Sequence, residues 1–387
     1  MKVLVIGGSI AGLAAGCLLR KAGWDVTVYE RAAGDLAGRG AGLGISAELL
    51  EVMARSGASF DATAGVAQRE HVWMERSGEI VFTHARNLMA SAWARVYQPL
   101  RAALPAASYR QGMTLEHLEQ DAGGVTALFA DGSSTRGDLL VAADGVHSTV
   151  RRQLMPQVEP RFAHYVAWRG LVEERSLERE TLGALTDRLV YCFPPDEMLL
   201  AMRAPGGAYF IWYRHVPPGA VAELFTDASG RSHGLSIPPP LIRPEVVREL
   251  KSHARDVLPA AIAPVVEAAA QPLLQAISDM ESPRLVDGRV ALAGDAAFVV
   301  RPHVAGGASK AALDARALCD ALTGEKTVAA ALERYERSQL DFGRRIVQHS
   351  RYLGADLEGR STARDPARLI RDYGAPHLLH DVDHVMR

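Results

Sequence analysis

Apolar and polar positions change period several times along the chain. Residues 2–6, KVLVI, are a short run rich in β-branched types, the pattern of a strand buried on both faces. After glycines at 7, 8 and 12, Leu13, Cys17 and Leu18 recur at helical spacing, and Gly23 is a natural stop. Residues 25–29, DVTVY, predict the next strand, which runs into Glu30. Residues 138–151, DLLVAADGVHSTVR, predict a strand ending at Asp144-Gly145 and a helix from near Ser148. A third strand, Val290–Ala293, ends at Gly294-Asp295; a loop with Pro302 and Gly306-Gly307 then leads to a helix from near Ser309.

Between these units the period is two. In AYFIWYRHV, 208–216, Phe210, Trp212 and Arg214 share one face, and Tyr209, Ile211, Tyr213 and His215 the other. Residues 189–193 and 198–202, split by Pro194-Pro195-Asp196, predict a hairpin. Trp168-Arg169-Gly170 is expected to begin a strand. Leu258–Ile277, interrupted by three prolines, reads as amphipathic helix and loop, and 327–355 as a long helix.

The first unit has the order strand, tight turn, helix, strand, acid within about 30 residues, as a dinucleotide site requires. The pattern G-x-G-x-x-G is incomplete, because position 9 is Ser9. Gly7 permits the turn and Gly12 lets helix and strand pack closely. Position 9 must let a pyrophosphate reach the helix N-terminus, and serine is small and can donate to a phosphate oxygen. The alternative is a bare structural turn.

Composition narrows the class. The 387 residues suffice for two domains, and 48% hydrophobic with 23% charged content is ordinary for a globular protein. A net charge of −2 gives no field to steer nucleic acid or an anionic membrane. Cys17, Cys192 and Cys319 lack metal-ligand spacing and read as reduced, buried thiols of a cytoplasmic protein. The first strand begins almost at Met1, leaving no room for a signal peptide, and no apolar run long enough to span a membrane is expected.

The three strand-turn-helix units together resemble a known family. Gly7, Ser9 and Gly12, then Asp144, Gly145, Ser148 and Arg151, then Gly294, Asp295, Pro302 and Gly307 match, in order, the motifs of FAD-dependent aromatic hydroxylases of the p-hydroxybenzoate hydroxylase type. YVAWRG at 165–170 and RPH followed by AGGASKA at 301–311 strengthen the likeness toward members that hydroxylate dihydroxypyridines. The chain departs from the family pattern at Phe298, at Ala305-Gly306-Gly307 and at Gln98, with Arg101 nearby.

The resemblance implies an α/β fold: a Rossmann-like FAD-binding domain, a mostly antiparallel substrate sheet and a C-terminal helix. It implies an FAD domain from residues 1–68, 97–157 and 275–345, a substrate domain from 69–96 and 158–274, and a helix and tail at 346–387. It assigns FAD to Gly7, Ser9, Ile10, Ala11, Gly12, Glu30, Arg31, Gly42, Leu43, Gln98, Leu115, Asp144, Gly145, Asp295, Pro302, Gly306, Gly307, Ala308 and Ser309. Glu30 would take the adenosine ribose. The helix start near Gly307 would face the part of the flavin that becomes negative on reduction. Asp144 would also cap its helix.

The implied activity uses NADH or NADPH as a transient co-substrate and O2 to hydroxylate an electron-rich ring, a hydroxypyridine or phenol, through a flavin C4a-hydroperoxide. Such chemistry needs a dry pocket and a proton acceptor. His303, beside Pro302, is the leading candidate acceptor, against a loop histidine bonded to backbone; Tyr213 and His215 are further candidates, against simple packing. Arg169 is either a structural ion pair or a cleft residue. A homodimer is left open. Competing classes are an FAD hydroxylase of another phenolic or polyketide substrate, an FAD oxidoreductase without oxygen insertion, and a flavin-binding sensor.

Overall fold

The computed structural model describes residues 1–37, 42–61, 63, 65–217, 219–359 and 365–373. A six-stranded sheet follows the order Val286–Asp287, Val290–Leu292, Leu139–Ala142, Lys2–Ile6, Asp25–Glu30, Tyr109–Gln111. All its pairs are parallel except the first. Val3, Leu4, Val5 and Leu139 through Ala142 are fully buried. That is why these strands read as continuous apolar runs: they are covered by helix Ile10–Lys21 and by strands Gly124–Phe129 and Ser134–Gly137 of a small sheet. Helix Ile10–Lys21 and helix Gly307–Gly324 pack against one another beside this sheet.

A ten-stranded sheet includes Leu273–Glu281, Arg161–Glu173, Gly207–His215, Glu197–Ala204, Arg188–Cys192, Gly65–Met74, Ile80–Ala92 and Gly42–Ile45 in that order. Its pairs are antiparallel except Arg188–Cys192 with Gly65–Met74. The alternation expected of 208–216 is present. Phe210 and Trp212 enter a core under helix Pro244–Val257, while Tyr209, Ile211 and Tyr213 enter a second cluster on the opposite face. A small sheet, Leu115–Asp121, Gly124–Phe129 and Ser134–Gly137, completes the strands described.

Several expectations are corrected. Leu258–Ile277 is not helix and loop throughout: a short helix, Ala263–Glu267, is followed by strand Leu273–Glu281. Pro259 follows the end of helix Pro244–Val257, Pro264 sits in the first turn of the short helix, and the alternation after Pro272 suits a sheet. Trp168-Arg169-Gly170 does not begin a strand but lies inside Arg161–Glu173. Residues 42–45 and 65–68, expected in the FAD segment, are strands of the larger sheet. The long helix is Val328–Gly354. Helix Pro366–Asp372 folds back, and Ile370 and Tyr373 join the cluster that holds Tyr209 and Tyr213. The tail beyond 373 lies outside the described residues. Among the described residues no helix is long and apolar enough to cross a membrane.

Candidate active site

Two connected cavities lie where the six-stranded sheet meets the larger one. The larger is about 700 Å³ and the smaller about 340 Å³; Ser9, Trp93, Ala143 and Gly145 line both. They meet at the N-terminus of helix Ile10–Lys21, capped by the backbone of Ser9, whose side chain makes no capping bond. The first N–H groups of that helix have no intrahelical partner and point at the junction.

The turn before it depends on glycine. Gly7 has φ +104°, and a Cβ there would lie 2.2 Å from the Ala143 carbonyl oxygen. A Cβ on Gly12 would lie 1.9 Å from the Gly7 carbonyl oxygen. Gly12 therefore shapes the turn and does not itself line either cavity.

Gly7, Ser9, Glu30, Arg31, Leu115, Asp144 and Gly145 line the smaller cavity. Glu30 accepts from the backbone N–H groups of Gly8 and Ala32, each at 2.8 Å. Asp144 accepts from the Ser148 hydroxyl at 2.6 Å and from the Thr149 N–H at 2.7 Å, so it does cap its helix. Ile10, Ala11, Gly42, Leu43, Asp295, Pro302, Gly306, Gly307 and Ala308 line the larger cavity.

Besides Gly12, two expected cofactor contacts fall elsewhere. Gln98 is exposed on helix Trp93–Ala103 and lines neither cavity, because the buried face of that helix is Val96, Tyr97 and Leu100. Arg101, near it in sequence, stacks over the Tyr109 ring at 4.0 Å. Ser309 is buried and hydrogen-bonded to the Ser46 hydroxyl at 2.9 Å, because the helix begins at Gly307, earlier than expected. Beneath this helix start, the buried Lys310 ammonium donates to the Gly294 carbonyl (2.9 Å) and the Asp314 carboxylate (2.7 Å), while Asp314 accepts from the Gly294 N–H (2.8 Å). This pair holds the Gly294-Asp295 turn in place.

The candidate bases also need correction. His303 is fully buried and lines neither cavity; its Nε2 shares a hydrogen bond of 2.8 Å with the Tyr165 hydroxyl. Its ring lies 4.2 Å from that of Tyr213, centroid to centroid. Burial, with the charges of Arg301 and Arg169, pushes the imidazole down to about 3. Tyr213 is equally buried behind the cavity wall. His215 is half-buried and faces the Leu357 carbonyl at 3.2 Å. Position beside Pro302 misleads, because Pro302 and His303 point to opposite sides of their short turn, one lining the cavity and the other buried behind it.

What sequence reasoning missed is the remainder of the wall: Trp93, Leu189, Met202, Tyr209, Ile211, Gln271, Gln275 and Tyr373. Period-two alternation marks the face of Tyr209 and Ile211. No local signal marks Tyr373, which comes from the far end of the chain. Among the described residues no cluster of His, Cys, Asp or Glu could hold a metal ion.

The cavities fit an elongated cofactor with an anionic middle. A glycine cradle and a helix N-terminus sit at their junction, an acid lies at one end, and a second helix N-terminus at Gly307 opens on the other. Fold and site define an FAD-dependent oxidoreductase. Family models bear this out: "NAD(P)-binding Rossmann-like domain" matches residues 5–45, "FAD binding domain-like" 162–279 and "FAD binding domain" 244–350. The chain is 30% identical over 365 residues to the 2,6-dihydroxypyridine 3-monooxygenase of Paenarthrobacter nicotinovorans, covering 92% of this chain and 91% of that one. It is 32% identical over 377 residues to the FAD-dependent urate hydroxylase of Klebsiella pneumoniae, covering 91% and 89%. The solved 2,6-dihydroxypyridine-3-hydroxylase from Arthrobacter nicotinovorans superposes with a TM-score of 0.89 at 29% identity, covering 96% of both chains. Klebsiella pneumoniae HpxO, solved with FAD and uric acid, gives 0.81 at 25% identity, covering 100% and 96%.

The chain belongs to the FAD-dependent aromatic hydroxylases. It is a flavin monooxygenase that hydroxylates an electron-rich aromatic or heteroaromatic ring, with FAD as cofactor.

Proposed function

We propose that this enzyme hydroxylates a small hydroxypyridine, 2,6-dihydroxypyridine being the first compound to test, with NADH or NADPH as reductant and O2 as co-substrate. The single observation that carries this reading is the larger cavity. Leu189, Met202 and Ile211 form an apolar wall, and Arg169, Tyr209, Gln271 and Gln275 place polar groups beside it. The similarity to the Paenarthrobacter enzyme supports the same substrate class.

When bound, FAD would carry the reducing equivalents of NAD(P)H and supply the oxygen-transfer chemistry. The chain does the rest. The N–H groups before Leu13 hold the pyrophosphate, and the Glu30 carboxylate orients the ribose. The loop from Pro302 to Gly307 holds the ring system, with the helix N-terminus at Gly307 placed to stabilise negative charge. The apolar sheet face excludes water from the reacting ring. The FAD domain is proposed to comprise 1–68, 97–157 and 275–345, with the strands at 42–45 and 65–68 belonging to the substrate sheet. The three buried, unpaired cysteines support a cytoplasmic setting.

Purified protein should be yellow. Addition of 2,6-dihydroxypyridine should speed NAD(P)H oxidation and give a product carrying one atom from labelled O2. Oxidation that yields only hydrogen peroxide with every hydroxypyridine would remove this substrate class. Uric acid and salicylate test the other rings on which members of this fold act.

A further inference from the structure

Among the described residues that line the larger cavity, Arg169 is the only cationic side chain and Asp295 the only acidic one. Arg169 lies mid-strand, opposite Ile211 on one neighbouring strand and Leu273 on the other. Its Nε is buried without a hydrogen-bond partner among the described residues, and the hydroxyl of Tyr209, which lines the same wall, lies beside the guanidinium. A guanidinium N–H left unpaired in a buried wall forfeits hydrogen-bond energy unless a ligand completes it. Elsewhere the chain pairs its buried arginines closely: Arg301 with Asp279, and Arg151 with backbone carbonyls. Among the described residues Arg169 has no such carboxylate, although nothing in the local sequence forbids one.

We propose that Arg169, with Tyr209 as a second donor, binds the ionised ring oxygen of the substrate. The inference rests on the proposed hydroxypyridine or phenol reading and deepens it. The ring O–H gives up its proton to solvent, leaving an oxyanion that accepts from the guanidinium and from the tyrosine hydroxyl. Ionisation makes the ring electron-rich, which is what the reaction requires. The groups that face Arg169 suit this task. Tyr209 and Tyr213 on the next strand and Tyr373 on the C-terminal segment are all held protonated by burial, so none competes as an anion. His303 is held neutral by burial and by Arg301 and Arg169. Asp295 lines the opposite, loop side of the cavity. The fixed charge of Arg169 is therefore left for the ligand, in a wall where water is scarce and a charge-assisted hydrogen bond is strong.

The test uses the FAD-loaded enzyme and 4-nitrophenol, whose colour reports its own ionisation. Bound to the wild type, the probe should ionise at a lower pH than it does free. Arg169→Met should abolish that displacement and weaken binding about tenfold or more at neutral pH, the loss of one charge-assisted hydrogen bond. Arg169→Lys should keep most of the displacement, because charge is retained, and Tyr209→Phe should lose a smaller part of the affinity. Retained FAD and an unchanged melting temperature show that each variant folds. If Arg169→Met binds the probe as tightly and as ionised as the wild type does, the role of Arg169 is overturned while the hydroxylase reading stands. If the wild type binds neither 4-nitrophenol nor 2,6-dihydroxypyridine, and neither stimulates NAD(P)H oxidation, both readings fall together.

Discussion

The buried guanidinium of Arg151 donates to the carbonyl oxygen of Ala296 at 3.2 Å, joining positions 145 apart in sequence. The same side chain donates to Val146 at 2.6 Å. It thus ties the turn after Asp144 to the turn around Asp295, the two turns that face the cavities. Arg151→Met would leave several buried carbonyls unpaired, at about 1–3 kcal/mol each. A fall in melting temperature together with weaker FAD retention is expected, read by thermal denaturation and by flavin fluorescence on dilution. Arg151→Lys should recover little, since one ammonium cannot span those acceptors. A variant of wild-type stability and FAD affinity would show that the tie is idle.

The first turn gives a contrast between neighbours. Ser9→Gly should keep FAD, because the side chain makes no capping bond and the backbone carries the contact. Ser9→Asp should lose affinity through repulsion of the pyrophosphate. Gly12→Ala should abolish FAD binding, since its Cβ would meet the Gly7 carbonyl oxygen at 1.9 Å. Titration of the apoprotein with FAD separates the three.

His303 and His71 are both pushed down to about 3 from 6.5, mainly by burial, with Arg301 and Arg169 acting on His303 and Arg86 and His84 on His71. In the unfolded chain each takes a proton as pH falls through about 6.5, and in the folded chain only near 3. The unfolded state binds more protons across that window, so stability falls as pH falls from about 6.5 toward 3. Urea midpoints measured between neutral pH and pH 4.5 should decline, and His303→Gln should show a shallower decline whatever its absolute stability. Parallel slopes for variant and wild type would contradict the assignment.

Tyr373 lines the larger cavity from just past helix Pro366–Asp372, its ring edge-on to His71 and Tyr191 and its carbonyl accepting from Arg86. Tyr373→Ala should open that wall, raise KM for the ring substrate and divert part of the NAD(P)H oxidation to hydrogen peroxide. FAD affinity should hold, because the cofactor turns are remote from it. Peroxide yield and KM, measured side by side, check this; an unchanged yield would mean that the segment only covers the sheet.

The turns that the sequence pattern places beside the cavities share one property. Gly7, Asp144, Gly294 and Gly307 act through backbone conformation within a few residues, so the local pattern carries the information. Gln98 and His303 failed for the opposite reason. Whether a side chain on a helix or a loop turns toward a cavity depends on what packs behind it, and Tyr165 claims His303.

By itself, then, the sequence determined the three strand-turn-helix units, the alternating sheet and, through motif order, the cofactor. Each follows from steric rules and periodicities that span few residues. Only the tertiary structure decided which side chains line the larger cavity. Arg169, Tyr209 and Tyr373 come together from two paired strands and a distant segment, and among the described residues no carboxylate pairs with Arg169. An absent partner leaves no mark in the local sequence, because pairing is a property of the packed chain.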